Sequence, residues 1–297
     1  MTTQTSGQTP CQPSAAPTIP LVVLTDLDGT LLDHHTYSAD AAKPALKTLK
    51  QLGIPVIFNT SKTRDEVIGL RQQLDNHDPF VCENGSAVFL PRPDQSGYNP
   101  EILGASYQDI LKALHQLRAE GFRFRGFNDM PASEVAALTG LSLDEAHLAK
   151  QRHASEPLVW TDSDEARQRF TDSLTHFGLH ATQGGRFLHV MGNTDKASGL
   201  EFFRHYYAHC WKTNASETDA SKTNTSETKV LIAALGDGEN DRHMLEQADY
   251  PIVIPGAKGT LELTNPNAVT AHRPGPDGWN TCINTLLEQL KKEPNRG

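Results

Sequence analysis

The chain has 297 residues, with 27 Lys and Arg against 36 Asp and Glu, a net charge of −9 and 37% apolar residues. That length allows one large or two ordinary domains with ample material for a core, and the acidic balance argues against nucleic-acid and membrane-surface partners. No apolar run is long enough to span a bilayer. Cys11, Cys82, Cys210 and Cys282 form no C-x-x-C pair, so reduced thiols in a cytoplasmic protein are expected, rather than a zinc site or a disulfide framework.

Residues 1–20 are rich in Thr, Gln, Ser and Pro and lack the basic start and apolar core of a signal peptide. A disordered tail over 1–18 is expected. Leu21-Val22-Val23-Leu24-Thr25 then reads as a buried parallel strand. It runs directly into Asp26-Leu27-Asp28-Gly29-Thr30. Carboxylates two residues apart at a strand exit project to the same side, and ligands of open α/β sheets bind at the carboxyl ends of strands. Gly29 lets backbone approach a ligand closely.

A helix over 39–52 follows, with apolar residues at helical spacing and Gly53 at its end. The second strand, Ile54-Pro55-Val56-Ile57-Phe58, ends at Asn59-Thr60-Ser61-Lys62-Thr63. A helix over 64–74 and a short strand, Phe80-Val81-Cys82, lead to Glu83-Asn84-Gly85. This alternation predicts an α/β fold with a doubly wound (Rossmann-like) parallel sheet.

From about residue 92 the pattern changes. Pro91, Pro93, Gly97 and Pro100 read as a linker. Helices near 107–120 and 164–177, an acidic Ala- and Leu-rich stretch over 132–150 and the run Glu156-Pro157-Leu158-Val159-Trp160 read as an inserted α+β domain over 92–190. The core domain is then 19–91 plus 191–297. Its second part carries Asp195-Lys196, a helix through Phe202, Phe203 and Tyr206, and an apolar strand over 230–235 that enters Gly236-Asp237-Gly238-Glu239-Asn240-Asp241. Pro91-Arg92-Pro93 and Gly184-Gly185 are the expected crossing segments. A near-copy of residues 212–218 at 222–228 predicts a low-complexity surface loop over 212–229.

Four elements therefore supply what a phosphoryl transfer needs. Asp26 is the expected nucleophile, giving an aspartyl-phosphate. Asp28 is the expected general acid and then base. Magnesium takes octahedral oxygen coordination; Asp26, the Asp28 carbonyl and Asp237 are the candidate ligands, with Asn240 and Asp241 orienting that shell. Gly29, Thr60, Ser61 and Asn240 are candidate phosphate contacts, and Lys196 would neutralise phosphate and the Asp26 carboxylate together. Taken alone, Thr60-Ser61 reads more simply as a helix N-cap. The 13 His show no zinc-ligand spacing.

These motifs resemble the haloacid dehalogenase superfamily of phosphatases, and the insertion is similar to its α+β type C2 cap. Thr60-Ser61-Lys62-Thr63-Arg64, Glu83-Asn84-Gly85, Gln151-Arg152, Ser155-Glu156-Pro157, Gly184-Gly185-Arg186-Phe187-Leu188-His189 and Gly275-Pro276-Asp277-Gly278-Trp279-Asn280 resemble the mannosyl-3-phosphoglycerate phosphatase family. Ser86 and Ala197 stand where that family often has Gly. The resemblance implies hydrolysis of mannosyl-3-phosphoglycerate to mannosylglycerate, a compatible solute, with release of phosphate, Mg²⁺ as cofactor and a small-molecule phosphorylated glycoside as substrate. Arg152 and Arg186 are then candidates for the glycerate carboxylate, and Ser155, Glu156 and His189 for sugar hydroxyls. Trp160 and Trp279 are expected in the core. Glucosyl-3-phosphoglycerate or another sugar phosphate is the alternative substrate, and a non-catalytic phospho-ligand sensor is the alternative from another class.

Overall fold

The computed structural model describes residues 17–94, 96–184, 186–218, 229–256 and 259–292. Most of the expected N-terminal tail and the second copy of the repeat lie outside them. β1 (Leu21–Thr25) is buried throughout. Leu21 and Val23 enter one apolar layer and Val22 and Leu24 another, because successive strand residues face opposite sides of a sheet.

α1 (Lys43–Gln51), β2 (Val56–Asn59), α2 (Arg64–Gln73) and β3 (Phe80–Cys82) continue the βαβ pattern. β4 (Ala87–Pro91) and β5 (Tyr98–Ile102) then add two antiparallel strands to the same sheet. The larger sheet thus continues past the boundary expected at residue 92, because Tyr98–Ile102 finds a full set of partners along β4.

The inserted segment carries α3 (Tyr107–Ala119), β6 (Phe124–Gly126), α4 (Ala132–Thr139), α5 (Leu143–Ala149), β7 (Ser155–Trp160), α6 (Asp164–Leu174), β8 (Leu179–Gln183) and β9 (Leu188–Gly192). Its strands form an antiparallel sheet ordered β6-β7-β9-β8. α3 and α6 cover one face, where Leu114 and Phe170 pack with Leu158 and Val190. Trp160 stacks there on Phe124, as core packing predicts. Met191 belongs to this sheet, so the expected boundary at 191 falls inside β9.

α7 (Lys196–Thr218), β10 (Leu231–Gly236), α8 (Arg242–Gln247), β11 (Tyr250–Val253), β12 (Val269–Thr270) and α9 (Gly275–Lys292) complete the larger sheet, ordered β12-β11-β10-β1-β2-β3-β4-β5. It is parallel from β12 through β3. α1 and α9 cover one face, with Trp279 buried, and α7 and α8 the other, with Phe203 and Trp211 buried. α7 runs through Thr218, so the first repeat copy continues a helix anchored by Tyr207 and Trp211 instead of opening a loop.

The crossing between the two sheets is made by residues near 103 and 194, not by 91–93 or Gly184; Gly185 lies outside the described residues. Ser86 anchors both passes: its carbonyl accepts from the Leu103 N–H at 2.9 Å, and its hydroxyl meets Thr194 Oγ1 at 2.8 Å. The Ser86 departure from glycine therefore adds a side-chain tie at the hinge. Among the described residues no helix is long and apolar enough to cross a membrane. Cys82 and Cys282 are free thiols.

Candidate active site

β1 and β10 are adjacent parallel strands, so the loops leaving them meet at one end of the sheet. Asp26 is fixed through its backbone: its N–H donates to Leu235 O at 2.9 Å, and its carbonyl accepts from Thr25 Oγ1 at 2.7 Å. Trp279 Nε1 in turn donates to Thr25 Oγ1 at 3.0 Å. Leu27 and Leu31 are fully buried and pin the turn that carries Asp28. Gly29 occupies a left-handed φ of +80°, and a Cβ there would lie 2.7 Å from Asp237 Oδ2. Only glycine fits that approach.

Lys196, at the start of α7, donates to Asp26 Oδ1 and to Asp241 Oδ1, each at 2.6 Å, with its side chain wholly buried. Burial alone would push this ammonium down; Asp241 and Asp26 outweigh it and hold it above its ordinary value. Asp241 Oδ2 accepts the Asp237 and Gly238 N–H groups at 3.1 and 3.0 Å, which closes the turn after β10. Thr30 Oγ1 reaches Asp237 Oδ1 at 3.3 Å. Oxygens of Asp26, Asp237 and Asp241 lie within 4.8 Å of one another. Burial first, then the charges of Asp26 and Asp241, push the Asp237 carboxyl up to about 7. The cluster carries more negative charge than its one ammonium offsets, which is the environment a divalent cation fits. Asp241, expected behind the metal shell, sits within the carboxylate cluster itself.

Thr60 is buried beyond the end of β2, its N–H on Val81 O at 3.1 Å and its hydroxyl accepting the Lys62 N–H at 3.2 Å. The N-cap of α2 is Thr63, which forms a capping box with Glu66. The capping explanation for Thr60-Ser61 is therefore excluded, and both residues stand ahead of the helix. Asn240 Nδ2 donates to Asn84 Oδ1 at 3.3 Å, joining the turn after β10 to the one after β3. Asp28 Oδ2 pairs with Lys62 Nζ at 3.0 Å, while Asp28 Oδ1 is buried with no partner among the described residues.

The inserted segment reaches this end of the sheet through residues 152–155. Arg152 Nη1 donates to Ser61 O and Ser155 Oγ, both at 3.3 Å, and its Nε donates to Ala149 O at 2.9 Å. Ser155 Oγ donates to Glu83 Oε2 at 2.7 Å. The Glu83 carboxylate also accepts the His153 and Ala154 N–H groups at 2.8 and 3.1 Å. Burial would raise Glu83, but His153, the Arg152 charge and Ser155 together hold it below its ordinary value. Glu83, Asn84 and Gly85 all take left-handed φ of 55°, 55° and 92°, and a Cβ on Gly85 would lie 1.7 Å from Asp195 O. Two non-glycine residues in that sparsely populated region are held there by the surrounding contacts.

Glu156 and Arg186 lie elsewhere, whereas His189 is near Arg152 and Glu83. Glu156 faces α3 on the opposite side of β7, accepting from Tyr107 Oη at 2.8 Å and the Asn128 N–H at 2.7 Å. Strand alternation explains the miss, since Ser155 and Glu156 point to opposite faces. Arg186 is exposed and donates to Thr139 O, at the end of α4. His189 is held neutral by burial and the nearby Arg152, its pKa lowered to about 3. Sequence reasoning assigned no role to Lys62 or Glu83; the available signal was a charged residue beside each strand exit.

Residues 23–270 match the family described as haloacid dehalogenase-like hydrolase. The chain is 36% identical over 279 residues to a glucosyl-3-phosphoglycerate/mannosyl-3-phosphoglycerate phosphatase of Methanococcoides burtonii, covering 90% of this chain and 97% of the relative. It is 33% identical to a protein of the same name from Persephonella marina, covering 92% and 99%. Among solved structures, Thermoplasma acidophilum 0175 aligns with a TM-score of 0.62 at 16% identity, covering 90% of this chain and 97% of that one. A phosphatase of the haloalkanoate (HAD) enzyme superfamily from Bacteroides thetaiotaomicron aligns at 0.61 and 22% identity, covering 97% and 98%.

Proposed function

Because this chain belongs to the haloacid dehalogenase-like hydrolase family, we propose that its site hydrolyses the phosphate monoester of a glycosyl-3-phosphoglycerate. Mannosyl-3-phosphoglycerate is the first substrate and glucosyl-3-phosphoglycerate the second, since both sugars appear in the names of the relatives. The observation that carries the chemistry is the buried Lys196, shared between Asp26 and Asp241 beside Asp237.

Asp26 attacks phosphorus and expels the sugar-glycerate oxygen, leaving an aspartyl-phosphate. Splitting one difficult displacement into two lowers each barrier. Lys196 holds one Asp26 oxygen, orienting the other toward the phosphoryl group while neutralising charge. Asp28 protonates the departing oxygen and then takes a proton from the water that attacks the intermediate. The Thr60 and Ser61 region beyond β2 receives phosphoryl oxygens. Asp26, Asp237 and the Asp28 carbonyl would hold a magnesium ion, with Asp241 beside them; when bound it supplies charge neutralisation at the transferring group.

The test is phosphate release, with magnesium, across mannosyl- and glucosyl-3-phosphoglycerate, mannose 6-phosphate, 3-phosphoglycerate and an aryl phosphate. A kcat/KM at least tenfold higher for one or both glycosyl-3-phosphoglycerates supports the reading. Undiscriminating release would remove the substrate assignment and keep the reaction. No release from any compound would favour a phospho-ligand sensor.

A further inference from the structure

A glycosyl-3-phosphoglycerate places a carboxylate close to the bond that breaks, and both arginines expected to read it already donate to protein oxygens. Arg152 is held by Ala149 O, Ser61 O and Ser155 Oγ. Arg186 lies exposed against Thr139 O, and Lys196 is spent on two aspartates.

Lys62 is placed differently. Its N–H is fixed on Thr60 Oγ1 at 3.2 Å and its carbonyl accepts the Glu83 N–H at 3.0 Å, so its backbone is tied to both neighbouring strand exits. The side chain crosses to Asp28, with Nζ 3.0 Å from Oδ2. Glu66 and Glu145 also face it electrostatically. An ammonium has three donors, and among the described residues Asp28 is the one ion-pair partner of Lys62.

Tyr37 forms the next wall. Its ring centroid lies 5.8 Å from Lys62 Nζ, and the residue is 60% exposed. It takes a left-handed φ of 54°, which is rare for an aromatic residue. Asp33 holds the loop in this shape: its Oδ1 accepts the His35 N–H at 3.1 Å, the Thr36 N–H at 2.8 Å and Thr36 Oγ1 at 2.9 Å. An exposed ring beside the cation is thus presented by a built loop.

We propose that Lys62 and Tyr37 form the leaving-group subsite, Lys62 binding the glycerate carboxylate and the Tyr37 ring packing against the adjoining sugar. This rests on the glycosyl-3-phosphoglycerate reading above. The geometry agrees with substrate dimensions. The ester oxygen belongs at Asp28, and three bonds of about 1.5 Å separate it from the carboxylate carbon, within about 5 Å of reach. A carboxylate there lands beside Lys62 and forms a charge-assisted bond.

The experiment compares mannosyl-3-phosphoglycerate with its carboxylate methyl ester, alongside 3-phosphoglycerate and an aryl phosphate, in wild type, Lys62→Met, Lys62→Arg and Tyr37→Ala. Wild type is expected to lose about 10- to 100-fold in kcat/KM on methylation, the range of a hydrogen bond to a charged group. In Lys62→Met that ratio falls to near one, and in Lys62→Arg most of it survives. Tyr37→Ala lowers the preference for mannosyl-3-phosphoglycerate over 3-phosphoglycerate about tenfold. Equal wild-type rates on acid and ester, or a preference retained in Lys62→Met, would overturn the Lys62 assignment while the substrate reading stands. A Tyr37→Ala variant with unchanged preference would remove Tyr37 from the subsite. If wild type handles mannosyl-3-phosphoglycerate no better than the aryl phosphate, both readings fall.

Discussion

Lys196 Nζ lies 2.6 Å from Asp26 Oδ1, although 170 residues separate the two in the chain. The contact exists because β1 and β10 are neighbours and α7 begins beneath both exits. Replacing Lys196 with Met leaves Asp26 and Asp241 without their shared counter-ion. Turnover is expected to fall by about 10²- to 10³-fold, the cost of losing one preorganised charge donor. Stability falls as well, by about 3–5 kcal/mol, as for a buried pair deprived of one partner. Steady-state kinetics and urea unfolding check the two effects separately.

Glu83 ties the two sheets together through His153, Ala154 and Ser155. Glu83→Ala strands three donors, two of them buried, at about 1–3 kcal/mol for each buried unsatisfied group. Faster hydrogen exchange at the 153 and 154 amides is expected, with the strands of the larger sheet still protected. Uniform loss of protection would show that Glu83 supports the whole fold instead of the seam.

The pH dependence of stability should carry the mark of Glu156. Burial foremost raises its carboxyl from 4.5 to about 7. A raised acid favours the folded state while both states are protonated, below 4.5. As pH climbs from there to about 7 the unfolded chain ionises first, so stability is lost across that window and stays low above it. Glu156→Gln keeps an acceptor for the Asn128 N–H and removes the penalty. It should gain on the order of 3 kcal/mol over wild type at pH 8 and little at pH 4. A variant less stable than wild type at pH 8 would contradict the assignment.

Much of this was legible in the residues. The alternation of Leu21–Thr25, Val56–Asn59 and Phe80–Cys82 with helices gave a parallel sheet, and the motifs at its strand ends converge because parallel strands deliver their exits to one side. What escaped were choices made by tertiary partners. Tyr98–Ile102, with two prolines upstream, reads as linker until β4 offers it an edge. Glu156 looks like a ligand for a sugar until the register of β7 turns it toward Tyr107. The helical course of 212–218 depends on packing through Tyr207 and Trp211, which a polar repeat does not announce.

Magnesium should stabilise the folded protein independently of turnover. A ligand at 100 times its dissociation constant adds about 2.7 kcal/mol, so the thermal midpoint should rise with Mg²⁺ and return with EDTA. Asp237→Asn, which removes one carboxylate of the cluster, should abolish that rise. A rise of equal size in the variant would place the cation elsewhere.

Asp26 is proposed to receive the phosphoryl group. Quenching the enzyme during turnover of mannosyl-3-phosphoglycerate with borohydride reduces an acyl phosphate to an alcohol, and peptide mass spectrometry then locates it. Homoserine at position 26, absent without substrate and absent in Asp26→Asn, is the predicted result. Reduction at Asp28 or Asp241, or full turnover with an unmodified Asp26 peptide, would contradict it.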